Sequence, residues 1–288
     1  MLIHNEYFSL RQIADSGQCF RMNRLDDKDS KESYYLIAYG RYLKLTQLDE
    51  NTVMLDCSEE EYHQLWKSYF DLDYDYGRIV REITEGKDEF LKKAVEYGKG
   101  IRILRQEPFE VLISFIISQN KNIPAIKNCI EAICACFGEK RTNPDGTVYY
   151  TFPEPKVLAS ADKQLLRSLK TGYRDEYIIR ASKAVVDGSL DLERLCSCSY
   201  EEAVKSLKQI HGIGDKVANC IALFGLHQID GFPVDVWIKR VIDEIYCGSF
   251  PKEKYRGYAG IVQQYMFYYM RHLKRRFTGL NAKKAKIS

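Results

Sequence analysis

Between residues 34 and 57, apolar and polar side chains alternate with the period of two that half-buried antiparallel strands show. YYLIAYGRYLKLTQL (34–48) and TVMLDC (52–57) carry this pattern, and LDEN (48–51) between them predicts a hairpin turn. Ser58 followed by Glu61 predicts a capping box ahead of Tyr62, Leu65, Trp66 and Tyr69 at helical spacing. From residue 100 onward the pattern turns helical. Pro108 suits the first turn of a helix carrying Val111, Leu112, Phe115 and Ile116, which SQNKN (118–122) interrupts. Ile126, Cys129, Ile130, Ile133, Cys134 and Phe137 mark the next helix, stopped by Gly138. RTNPDGT (141–147) reads as a loop, and amphipathic helices are expected over 155–170, 174–187 and 199–209. A glycine hairpin at 210–215 leads into VANCIALFGL, and IDGFPVD (229–235) leads into VWIKRVIDEIY. An aromatic helix follows over 254–275. The fold class is therefore α+β. An N-terminal antiparallel β-sheet domain with flanking helices (1–100) precedes a mainly helical, two-lobed remainder. That remainder divides into a helical domain (101–199) and a hairpin region with the C-terminal helix (200–288).

Composition narrows this little. The 288 residues are 45% hydrophobic and 29% charged, ordinary for a globular chain with a sizeable core. No run of about 18 apolar residues occurs, and MLIHNEYFSLRQ has the layout of neither a signal nor a transit peptide. A cytoplasmic location is expected, nucleoid-associated in a bacterium and nuclear in a eukaryote. The nine cysteines include no C-x2-C pair, and the two C-x-C pairs lack nearby His or Cys partners, so neither zinc nor a disulfide framework is expected. Most are expected to be small buried hydrophobes. From Arg271 onward there are seven Lys/Arg and no Asp/Glu, leaving residues 1–270 with 36 basic against 40 acidic groups. That end reads as a solvated, partly disordered tail over 279–288, or as a basic arm near a polyanion.

The chemistry gathers in HGIGDKVANC (211–220). Gly212 and Gly214 precede a helix whose first turn contains Lys216. Glycines there leave backbone N–H groups open, an anion site that a nucleic-acid phosphate fits without sequence readout. The same helix end disfavours a cation. Singly, these features read as an ordinary connection, a solvated amine and, for Asp235 in FPVDVW, a plain N-cap. Together they describe an amine nucleophile. A lysine attacks carbon only when neutral, and helix-end potential and burial both favour that form. A carboxylate such as Asp235 balances positive charge developing on a sugar that loses its base, as in glycoside hydrolases. Lys216 and Cys220, four apart, share a helix face.

LKQIHGIGDKVANCIALF followed by GFPVDVW resembles the helix–hairpin–helix and Gly/Pro-rich loop with aspartate of base-excision DNA glycosylases, and the lysine marks the bifunctional members that also nick the strand. SGQCFR (16–21), LRQEPFEVLISFIISQNKNI (104–123), TGYRDEYI (171–178) and YAGIVQQYMF (258–267) extend the resemblance, in order, to the 8-oxoguanine DNA glycosylase family over essentially the whole chain. The resemblance implies that Lys216 attacks C1′ and forms a Schiff base, and that Asp235 stabilises the developing charge and helps orient the DNA. It places Cys220 against the flipped base, paired electrostatically with Lys216, in a pocket with Pro233. Gly17 would offer its carbonyl to the N7–H that oxidation creates, Phe267 would stack on the base, and Gln263 would bond its Watson–Crick edge. Asn120, Tyr173 and Arg174 would fill the gap and face the orphaned cytosine, while His211, Gly212, Gly214 and Val217 would hold the backbone. The implied partner is double-stranded DNA containing 8-oxoguanine, bound by a monomer without a cofactor.

Three departures matter. Ala125 stands where the family pattern has an arginine reading the opposite cytosine, Asn120-Lys121-Asn122 replaces three asparagines, and Trp237 replaces a common histidine. Fewer donors aimed at cytosine predict relaxed discrimination of the opposite base. An endonuclease III-like reading fails because only Cys247 lies beyond Asp235, too few for that group's iron–sulfur cluster. An alkyl-base glycosylase requires Lys216 to be catalytically silent, and a non-catalytic phosphate-clamping module predicts no covalent chemistry.

Overall fold

The computed structural model describes residues 1–25 and 32–284, side chains as far as Leu273. Strands β1 (Leu2–His4), β2 (Met22–Arg24), β3 (Glu32–Ala38), β4 (Arg41–Gln47) and β5 (Thr52–Leu55) form one antiparallel sheet in the order β1-β5-β4-β3-β2. The stretch 34–48 is two strands, paired from Glu32↔Gln47 to Ala38↔Arg41. Tyr39 and Gly40 both take positive φ, 50° and 66°, so a two-residue turn reverses the chain with the twist that hairpins require. The LDEN turn joins β4 to β5, with Leu48 N–H donating to the Thr52 carbonyl at 2.9 Å. Ser58 caps the next helix through Glu61 N–H at 3.1 Å. Glu61 does not reach back to close the box, because its carboxylate accepts from the indole N–H of buried Trp66 at 3.0 Å.

One face of the sheet buries Leu36, Leu43, Leu45 and Leu55 against Leu10, Ile13, Trp66 and Phe70. A second, larger apolar cluster runs through the helical part and takes in Ile79, Ile83, Leu91 and Val95 from the two helices Tyr76–Glu85 and Glu89–Gly98. At its centre lies Pro108–Ser118, apolar on nearly every face, packed against Ile123–Phe137, Arg174–Val186 and Asp215–Phe224. The last helix, Ala259–Lys284, packs on Glu89–Gly98 and Val236–Ile245.

Several expectations change in detail. The span 155–170 breaks into Pro155–Ala159 and Lys163–Leu166, because Asp162 accepts from Leu165 N–H at 2.7 Å and starts a new helix. Lys140–Thr142 pairs with Val148–Tyr150, so the 141–147 loop is a hairpin tip. The final helix begins at Ala259 and extends to Lys284, so most of the 279–288 segment expected to be disordered is helical and 285–288 lies outside the described residues. Of the tail's seven basic side chains only Arg271 is described. Only four of the nine free cysteines are buried, Cys19, Cys129, Cys134 and Cys220, whereas Cys136, Cys196 and Cys247 are exposed. No described helix is long and apolar enough to cross a membrane.

Candidate active site

Lys216, Cys220 and Phe224 follow one another at i, i+4 and i+8 on Asp215–Phe224, and that stripe faces a cleft. Gly17, Pro233, Asp235, Gln263 and Phe267 line the same cleft, so all seven residues expected to touch the reacting nucleoside converge. Four further lining residues escaped the sequence reading: Ser16, Phe115, Phe224 and Gln264. Phe115 stacks on Phe224 with centroids 5.5 Å apart, and the Lys216 ammonium lies 5.5 Å from the Phe115 centroid. The cleft is half open, with about 330 Å³ of empty space including its mouth.

Gly17 has φ +79°, a conformation that costs other residues strain. Its neighbour Gln18 fixes the loop from below. The Gln18 amide donates to Ser16 Oγ at 3.0 Å and to the Arg102 carbonyl at 2.8 Å, and its Oε1 accepts from Leu104 N–H at 2.9 Å. Gln106 donates to the Gln18 carbonyl at 2.9 Å. This buried network holds a loop with no regular structure in one place. Arg271 completes it from the last helix, donating to the Asp15 carbonyl at 2.8 Å while its guanidinium lies 5.4 Å from the Phe267 centroid.

Asp235 is an N-cap after all: one oxygen, Oδ1, accepts from Trp237 N–H at 3.0 Å and Ile238 N–H at 2.9 Å. Oδ2 is left over for other work. Burial raises the Asp235 carboxyl above its ordinary range, with the two capping bonds, Lys216 and Arg271 acting the other way. Burial also pushes the Cys220 thiol up to about 11, against the pull of Lys216. Burial thus favours the neutral form of the Cys220 thiol, and Lys216 opposes it.

A second group of residues forms an adjoining face. Gln119, another residue the sequence reading passed over, joins three loops there. It donates to the Gly212 carbonyl at 3.1 Å, and its own carbonyl accepts from Arg174. Asn120, at φ +52°, donates to the Tyr173 hydroxyl at 3.3 Å, and Tyr173 is 51% exposed. Arg174 is not the solvated side chain that its place at a helix start suggests. It is buried, bonded to the Thr171 and Gln119 carbonyls, and stacked 4.4 Å from the Tyr173 centroid. Asn122 caps Ile123–Phe137 through Ala125 N–H at 2.9 Å, and Lys121 donates to the Lys170 carbonyl at 2.6 Å.

In the hairpin, His211 is exposed and packs edge-on against Tyr177 at 5.2 Å. Val217 points its side chain into the core, so only its backbone N–H is available outside. The first intrahelical bond runs from Ala218 N–H to the Gly214 carbonyl at 2.9 Å, leaving the N–H groups of Asp215, Lys216 and Val217 without helical acceptors. The two glycines differ physically. A Cβ on Gly212, at φ +93°, would lie 2.4 Å from the Tyr177 ring, whereas one on Gly214 meets nothing within 4 Å. Gly212→Ala should therefore destabilise the fold by about 3 kcal/mol. Gly214→Ala, whose methyl meets nothing within 4 Å, should melt like wild type. Thermal melts of both variants check this pair.

Family models match along most of the chain: the 8-oxoguanine DNA glycosylase N-terminal domain over residues 1–112 and the HhH-GPD superfamily base excision DNA repair protein over 113–256. An N-glycosylase/DNA lyase of Saccharomyces cerevisiae is 30% identical over 266 residues, covering 85% of this chain and 70% of the yeast protein. The structure of MBOgg1 in complex with low affinity DNA ligand superposes with a TM-score of 0.87 at 37% identity, over 95% of this chain and 96% of that one. Clostridium acetobutylicum 8-oxoguanine glycosylase/lyase, in complex with dsDNA containing cytosine opposite to 8-oxoG, gives 0.85 at 37% identity over 93% of each.

Proposed function

The chain belongs to the 8-oxoguanine DNA glycosylase family of the HhH-GPD superfamily, N-glycosylases and DNA lyases acting on duplex DNA, and from that premise we propose which of its residues do the chemistry. Lys216 is the nucleophile. Its neutral amine attacks C1′ of the flipped nucleoside, the glycosidic electrons leave with the base, and the amine gives up a proton. The C1′–O4′ bond then opens to leave a Schiff base, whose C2′ loses a proton as the 3′-phosphate departs and the strand is cut. The single observation that carries this is the convergence of Lys216, Asp235, Cys220, Gly17 and Phe267 on one cleft from segments more than 200 residues apart in the chain.

Asp235 balances the sugar's charge with the oxygen its cap leaves over. Gly17 offers its carbonyl to the N7–H of the oxidised base; a normal guanine presents a lone pair there, and a buried carbonyl facing a lone pair is costly. Phe267 stacks on the base, Cys220 as a thiol forms the opposite wall beside Pro233, and Gln263 bonds the Watson–Crick edge. The N–H groups opening Asp215–Phe224, including that of Val217, hold a phosphate, with His211, Gly212 and Gly214 letting the strand approach. Asn120 and Tyr173 fill the vacated space, and Arg174 holds their loops together from beneath. We take the active form to be a monomer, because one chain supplies the whole cleft.

Opposite-base reading is weak in this proposal. Ala125 presents no donor, Lys121 bonds a backbone carbonyl, and the Asn122 side chain is held by its capping oxygen, with only its amide nitrogen left to donate. Borohydride trapping on 8-oxoguanine duplexes with C, T, G or A opposite tests both points. A covalent protein–DNA adduct should form in each, within about tenfold of the others, since each good bidentate base contact is worth about 1–3 kcal/mol. No adduct on any duplex overturns the nucleophile assignment, and a strong preference for cytosine overturns the relaxed reading.

A further inference from the structure

The last helix brings two consecutive glutamines to the cleft, and hydrogen-bond polarity fixes how both are turned. Gln263 and Gln264 are 2% and 3% exposed. The Pro233 carbonyl can only accept, so Gln263 presents its amide nitrogen to it, at 2.9 Å. That turns the Gln263 Oε1 toward Gln264, which must answer with its own nitrogen, at 3.1 Å. One proline carbonyl thereby sets both amides. The chain of bonds ends on Gln264 Oε1, which is buried and has no hydrogen-bond partner among the described residues. Buried acceptors without a partner are rare in folded proteins, and one on a residue lining the base cleft calls for a donor from outside the chain.

Resting on the reading of this cleft as the base pocket, we propose that Gln264 is a second specificity-determining residue for the oxidised purine. A guanine-type base presents N1–H and one N–H of its exocyclic amine along its Watson–Crick edge, the second N–H facing the sugar. Gln263 Oε1 already accepts from Gln264 and has one lone pair left. The edge therefore offers more donors than Gln263 can accept. Gln264 Oε1 takes an N–H of the exocyclic amine, while the Pro233 carbonyl keeps the Gln263 amide turned so that its oxygen is available to N1–H. The pocket thus reads the amine as well as the oxidised face of the base.

The test compares single-turnover excision of 8-oxoguanine with that of 8-oxohypoxanthine, which keeps N1–H and N7–H but lacks the amine. Wild type should favour 8-oxoguanine by about tenfold, the value of one buried hydrogen bond. Gln264→Met, close in volume to the native side chain, should slow 8-oxoguanine about tenfold and 8-oxohypoxanthine less than twofold. Gln264→Leu repeats the comparison at another volume. Equal losses on both lesions would show a packing role and overturn the inference, as would a wild type indifferent to the amine. If wild type excises neither lesion, the base-pocket reading itself fails, which separates the two failures.

Discussion

Lys216→Gln is expected to lose base excision and strand cleavage together, by on the order of 10⁴-fold or more, while still binding lesion-bearing duplex. On the proposed mechanism the two activities fall together, because both pass through a bond from Lys216 to C1′. Stability should move by less than about 1 kcal/mol. A cation in the first turn of Asp215–Phe224 faces the helix dipole, and its attraction to the Asp235 carboxylate and its 5.5 Å approach to Phe115 offset this. Glutamine keeps a stem of similar length without that charge. The measurements are single-turnover excision, borohydride trapping and a thermal melt of the same preparation. A folded Lys216→Gln protein that still gives a trapped adduct would assign the nucleophile elsewhere.

The parts of this site that the sequence disclosed are those whose constraint is local. Gly212 needs its φ, Asp235 caps the helix that follows it, and Lys216 to Cys220 is one helical turn, so spacing alone brings them forward. Gln18, Gln119 and Gln264 did not stand out, because glutamine has no positional signature, and the first two have partners far along the chain. Gln18 bonds Arg102 and Leu104, and Gln119 bonds Gly212, 93 residues away. Arg174 stands at a helix start, where a solvated side chain is the ordinary outcome, but Thr171 and Gln119 supply the carbonyls that make a buried guanidinium tolerable. In the sheet, the β3–β4 turn was hidden because Tyr39 adopts a conformation that Asn or Gly normally marks. The sheet and helix classes were legible through periodicity, and breaks inside a segment were not, since Asp162 only becomes a cap once the chain has chosen to restart there.

Asp235 separates its two roles under substitution. Asn caps helices as well as Asp does, so Asp235→Asn keeps the bonds to Trp237 and Ile238 while removing the charge, and Asp235→Ala removes both. The Asn variant should lose about 10²- to 10³-fold in excision, the scale of one electrostatic group at a charged transition state. The Ala variant should lose the same and also about 1 kcal/mol of stability. pH gives an independent reading. Because burial holds the folded carboxyl above its unfolded value near 4, the native state binds that proton more tightly. Stability linked to Asp235 is then fully present below the unfolded value and is lost as pH rises through the folded one. Asp235→Asn, uncharged throughout, should accordingly melt at or above wild type at pH 7, with the gap closing as pH is lowered toward 4. Wild-type excision should show the opposite slope over that window, failing as the carboxylate is protonated at a pH above the ordinary carboxylate range. An Asn variant that keeps more than a tenth of the wild-type rate would reduce Asp235 to its cap.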